Sequence, residues 1–99
     1  MILVIGTSAV PADTMDKVRD AMKTMVTETL KEEGCVTYNL CEDIHQAGVI
    51  RISEEWETNE HLDAHMETAH MKDWRAVLAE VGVLSRAVNV YDGALLRSL

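Results

Sequence analysis

Apolar residues recur along this chain with two different periods, and the switches between them mark the elements. Met1 to about Ala9 is a β-branched apolar run that reads as a strand, stopped by Val10-Pro11. Beyond it Met15, Val18, Met22, Met25, Val26 and Leu30 keep helical spacing, with Asp13 as the expected N-cap and Gly34 as the expected C′ residue. From Cys35 to Cys41 the period drops to two. Val36, Tyr38 and Leu40 then share one face, and Cys35, Thr37, Asn39 and Cys41 the other. After a turn at Gln46-Ala47-Gly48, Val49 to Trp56 forms another strand, with Ile50, Ile52, Glu54 and Trp56 on a common face.

Thr58 follows that strand and has a side-chain oxygen able to accept a free backbone N–H, so a helix starts there. Leu62, His65, Met66 and Ala69 fall at i, i+3, i+4 and i+7, which points His65 inward. A second helical stretch carries Met71, Trp74, Val77, Leu78 and Val81 and ends at Gly82. Val83 to Tyr91 reads as the last strand, and Asp92-Gly93 as a turn. The order β-α-β-β-α-β predicts an α+β fold of the ferredoxin-like split βαβ type, an antiparallel sheet with its helices on one face. The other sheet face mixes Thr37, Asn39, Arg51 and Ser53 with Val49 and the cysteines, and a homodimer packed sheet on sheet is the expected way to cover it.

Ninety-nine residues make one domain, 1–99, too short to enclose a large cavity unaided. A net charge of −8, with nine Lys and Arg that do not cluster, argues against nucleic acid and anionic membranes as partners. The apolar N-terminus lacks the preceding positive region of a signal peptide and the length of a membrane span, so the expected location is the cytoplasm. Cys35 and Cys41, about 20 Å apart along an extended run, cannot pair with each other and form no CxxC motif. Reduced thiols are expected.

The candidate chemistry centres on histidine. A buried neutral imidazole is a base, because desolvation disfavours its charged form. The alternative for His65 is a core histidine satisfied by a carbonyl. His70 begins a new helical segment after a break at Glu67-Thr68-Ala69, so helical arithmetic leaves open whether it joins His65; on one unbroken helix the two would diverge by about 140°. The pocket is expected between helices and sheet, lined by Tyr38, Ile52, Trp56, His65, Met66, His70 and Trp74. The tryptophans offer flat walls for an aromatic ring, or simply fill the core. His61 and His65 stand at the i, i+4 spacing of some zinc sites, but Leu62 replaces the catalytic glutamate of that motif and no third ligand is fixed, so no metal is expected. His45 belongs to a surface turn.

Four runs, Leu30-Lys31-Glu32-Glu33-Gly34-Cys35, Glu54-Glu55-Trp56-Glu57, His61-Leu62-Asp63-Ala64-His65 and His70-Met71-Lys72, in this order and spacing, resemble the antibiotic biosynthesis monooxygenase family, and within it the bacterial quinol monooxygenases. The resemblance implies a dimeric α+β barrel of two ferredoxin-like subunits. It also implies cofactor-free oxidation, by O2, of a hydroquinone or phenolic aromatic to a quinone. For such chemistry the catalytic candidates read from the residues are His65 and His70, and the substrate-binding candidates Tyr38, Ile52, Trp56, Met66 and Trp74. Members acting on aromatic polyketides use an asparagine four residues before the strand-end tryptophan, where this chain has Ile52. The haem-degrading branch has a tryptophan at the position of His65, a histidine at Arg75 and an asparagine near Gly6-Thr7, and this chain shares none of them. The competing reading is a non-catalytic dimer that binds a small hydrophobic or aromatic ligand.

Overall fold

A computed structural model describes residues 1–99. Strand β1 spans Ile2–Ala9, helix α1 Met15–Thr29, β2 Cys35–Glu42, β3 Val49–Trp56, α2 Asn59–Met66, α3 Ala69–Val81 and β4 Ser85–Asp92. The strands form one antiparallel sheet in the order β2-β3-β1-β4, which puts the first and third strands at the centre, as a split βαβ requires. No helix is long and apolar enough to cross a membrane.

The helices cover one face of the sheet over two apolar clusters. Val10, Met15, Val18, Met22, Ile50 and Leu78 form one of them. The other holds Val4, Met25, Tyr38, Trp56 and Leu62, edged by Ile52, Met71 and Trp74. The amphipathic spacing of α1 is what places Met15, Val18, Met22 and Met25 inside.

Several boundaries differ from the sequence expectation. Asp13 does not cap α1; it lies in a 3-10 turn over Ala12–Thr14, closed by the Thr14 hydroxyl donating to the Pro11 carbonyl at 2.7 Å. Helix α1 ends at Thr29, so Leu30 is exposed and Gly34, at φ +78°, belongs to a separate turn. In β2 the register slips between Cys35 and Thr37, because one extra residue sits opposite β3. That bulge turns Val36 outward and brings Cys35 to the apolar cluster around Tyr38. Both cysteines are free thiols.

Candidate active site

Three short segments bring the site together. Thr58 caps α2 as its spacing predicts, its hydroxyl accepting from the His61 backbone N–H at 3.2 Å. Leu62 and His65 are the residues of α2 that become buried. Thr68 then ends one helix and starts the next: its hydroxyl donates to the His65 carbonyl at 2.8 Å and accepts from the Met71 N–H at 3.2 Å. The resulting break between α2 and α3 overrides the divergence of a continuous helix and turns His70 toward His65, their ring centroids 5.9 Å apart.

Both rings meet the same carboxylate oxygen. Glu32, in the turn after α1, places Oε2 2.7 Å from Nδ1 of His65 and 2.7 Å from Nε2 of His70. A carboxylate can only accept, so each of these nitrogens donates its proton and the opposite nitrogen of each ring carries a lone pair. Nε2 of His65 makes no hydrogen bond within the chain. His65 is 1% exposed, and its burial holds it below the ordinary imidazole value of 6.5 against the opposing pull of the Glu32 hydrogen bond. The ring is a neutral, oriented base.

Aromatic rings enclose it. Tyr38 lies edge-on to His65 with centroids 5.3 Å apart, and Trp56 lies tilted at 4.9 Å. Burial, then the nearby charge of Glu54, pushes the Tyr38 phenol far above its usual value of 10, so Tyr38 stays a protonated phenol. Glu54 itself points into this interior beside Trp56, whose indole N–H donates to Oε1 at 2.9 Å. Burial raises that carboxyl to about 7.

The seven candidate residues are not all gathered. Tyr38, Trp56, His65 and His70 converge, with Ile52 and Trp74 packed at the edge of the same cluster. Met66 does not: at 42% exposure it faces solvent, because α2 stops there and the i+4 position of the stripe has no helix continuing beneath it. The expected cavity between helices and sheet is also occupied by the rings themselves, Trp56 being 0% exposed. Two surface concavities lie elsewhere, one along α1 and β2 at Met22, Val26 and Leu40, the other near Leu78 and Val83. Glu32 and Glu54 were missed as site residues. The available signal for Glu54 was a carboxylate alternating in step with Ile50, Ile52 and Trp56; Glu32, in a turn, has no periodicity to read.

His61 does not pair with His65 on an ion. Its ring takes Thr58 as hydrogen-bond partner at 2.8 Å and approaches Glu33 at 4.0 Å. The group that could hold a metal is instead Glu32, His65 and His70, whose ligand atoms lie within 4.8 Å of one another.

Residues 1–77 match the family model described as antibiotic biosynthesis monooxygenase. The Escherichia coli protein named "Probable quinol monooxygenase YgiN" is 41% identical over 64 residues, 56% of this chain and 61% of the relative, so the chain spans about three-fifths of the curated relative it matches. The structure of Rv0793 from Mycobacterium tuberculosis superposes with a TM-score of 0.85 at 27% identity, covering 98% of both chains. A Deinococcus radiodurans structure named for the same kind of monooxygenase gives 0.91 at 21% identity over 100% of this chain and 98% of its own, a likeness of fold.

Proposed function

The chain belongs to the antibiotic biosynthesis monooxygenase family, and from that premise we propose that residues 1–99 act as a single unit that oxidises a hydroquinone or phenolic aromatic to a quinone with O2, without a cofactor. The observation that supports this most directly is the Glu32–His65 hydrogen bond at 2.7 Å, which leaves a lone pair on Nε2 of a buried neutral ring walled by Tyr38 and Trp56.

A phenol gives up an electron to triplet O2 far more readily as its anion. In this reading Nε2 of His65 takes the phenolic proton, and the phenolate passes one electron to O2. Superoxide and the aryloxyl radical combine at a ring carbon bearing hydrogen, forming a C–O bond. Loss of that hydrogen as a proton, with O–O cleavage, leaves a ring carbonyl and expels hydroxide, which recovers the proton held by His65 as water. One oxygen atom enters the product and the other leaves in water, so phenol and O2 give quinone and water. Glu32 keeps the imidazole in its working tautomer and stabilises the imidazolium formed in passing. His70 shares that carboxylate and is the second candidate base.

Since the rings fill the interior, the substrate has to enter by displacing part of it, and α2, two turns long with only Leu62 and His65 buried, is the element best placed to yield. A second copy of the chain over the open sheet face completes the assembly in this reading. The filled interior also favours the competing assignment, a dimeric binder of a hydrophobic ligand that performs no chemistry.

Oxygen uptake by the metal-free, flavin-free protein with hydroquinones and naphthalenols, wild type beside His65→Ala, tests the proposal. The expected result is uptake that falls by about 100-fold or more in the variant. Uptake no faster than autoxidation across the panel refutes it; a retained ligand affinity without uptake would establish the binder.

A further inference from the structure

Beyond that reading, we propose that Glu32, His65 and His70 form a binding site for one divalent first-row transition-metal ion, Zn2+ being the fitting probe. Two imidazoles and a carboxylate are the donor set such ions prefer. Their ligand atoms are Oε2 of Glu32, Nδ1 of His65 and Nε2 of His70, the first being 2.7 Å from each of the other two. Metal–ligand bonds of about 2.0–2.1 Å at tetrahedral angles set donor atoms about 3.3 Å apart, so each Glu32 contact opens by roughly half an ångström and the two histidine nitrogens, within 4.8 Å of each other, adjust to the same spacing. The ligands come from three places, the turn after α1, the end of α2 and the start of α3, and the Thr68 break that joins the helices fixes the two histidines relative to each other. The three donors are therefore gathered before any ion binds.

Access and charge agree with the assignment. His65 is sealed, whereas the side chains of His70 and Glu32 remain partly exposed, so an ion reaches the cluster from the His70 side, where water supplies the remaining coordination. A carboxylate among the ligands and a chain charge of −8 both favour a cation. Arg75, whose charge acts on His65, has a guanidinium N–H committed to the Met66 carbonyl.

Occupancy has a chemical consequence for the same site. An ion on Nδ1 of His65 requires the imidazole proton to reside on Nε2, and the lone pair proposed to accept the phenolic proton is then gone. The bound ion inhibits cofactor-free oxidation rather than supporting it.

The test is binding itself, read without activity. Chelator-stripped protein is titrated with Co2+, followed by its visible absorption, and with Zn2+ against a chromophoric chelator. One ion per chain is expected, with affinity lowered about 100-fold or more in His70→Ala and in Glu32→Gln and unchanged in His61→Ala. Equal affinity in His70→Ala, loss in His61→Ala, or no saturable binding each overturns the proposal. X-ray absorption on the zinc-loaded wild type needs no variant: two nitrogens and oxygen at about 2.0–2.1 Å support it, and a shell of oxygen alone overturns it. Oxygen uptake is measured on metal-free protein, so that reading and this one fail separately.

Discussion

The indole N–H of Trp56 donates to the carboxyl of Glu54 at 2.9 Å, two residues apart on β3 and on the same buried face. The strand period alone carries a carboxyl into the core, opposite Tyr38 on β2 and Val4 on β1. Only 7% exposed, Glu54 is pushed up to about 7 by burial, which the Trp56 hydrogen bond offsets in part.

That shift fixes how stability depends on pH. A carboxyl at 4.5 when unfolded and about 7 when folded binds more protons in the folded state between those values, so its contribution to stability declines as pH rises through that window. The full penalty, on the order of 3 kcal/mol, is present above about pH 7. Glu54→Gln keeps an acceptor for Trp56 and removes the charge. Denaturant unfolding at pH 8 should show the variant more stable by about 1–3 kcal/mol, with the gain gone near pH 4.5. The difference between the two proteins is the quantity to read, because His65, held below 6.5, contributes the opposite slope: its stabilisation is lost as pH falls from 6.5 through its lowered folded value. An unchanged difference from pH 4.5 to 8 would show that Glu54 is not raised.

Glu32 gives a second prediction. Glu32→Gln removes the charge that orients His65 and His70 while leaving both rings, and kcat for oxygen uptake should fall about 10- to 100-fold with KM little changed. Activity through a base rises with pH as the base loses its proton, so the wild-type acid limb should lie below 6.5. The Glu32 hydrogen bond and charge raise the His65 value, and without them the limb should move to still lower pH. A limb that stays in place would assign Glu32 a purely structural part.

How much of this was legible in the sequence follows from which forces are local. The Thr58 cap, the α1 stripe and the inward turn of His65 depend on neighbours one to four residues away, and spacing displays them. The meeting of His65 and His70 depends on the angle at which Thr68 joins two helices, and helical spacing fixes directions only within one helix. Val36 was misplaced for a similar reason: one inserted residue between Cys35 and Thr37 reverses the alternation, and the inserted residue carries no distinctive side chain. Glu32 joins the site from 33 residues away through a turn, which no local pattern encodes.

The open sheet face carries a third prediction. Leu3 and Ile5 alternate outward on β1, with Tyr91 across from Leu3 and Asn89 across from Ile5, and Ile5 is 49% exposed. If a second copy covers this face, a charge at its middle is buried without a partner. Sedimentation velocity should find a dimer for the wild type and a monomer for Ile5→Asp at the same concentration. A wild type that sediments as a monomer at all concentrations would leave the face uncovered.

Two glycines with the same backbone sign separate steric crowding from conformational cost. Gly34 has φ +78° and Gly82 φ +85°, so alanine at either is strained by the positive φ, by about 1 kcal/mol or more. A Cβ at Gly82 meets nothing within 4 Å, whereas at Gly34 it would lie 2.1 Å from Cγ of His61. The His61 ring cannot step aside freely, since its Nδ1 is bonded to the Thr58 hydroxyl that also caps α2. Gly34→Ala should therefore be less stable than Gly82→Ala by about 1–3 kcal/mol in chemical denaturation. Disturbing the cap displaces α2 and with it His65, so oxygen uptake should fall in Gly34→Ala and hold in Gly82→Ala. Placing both substitutions in a His61→Ala background should erase most of the stability difference. If the gap survives removal of the imidazole, the collision with His61 is not its cause.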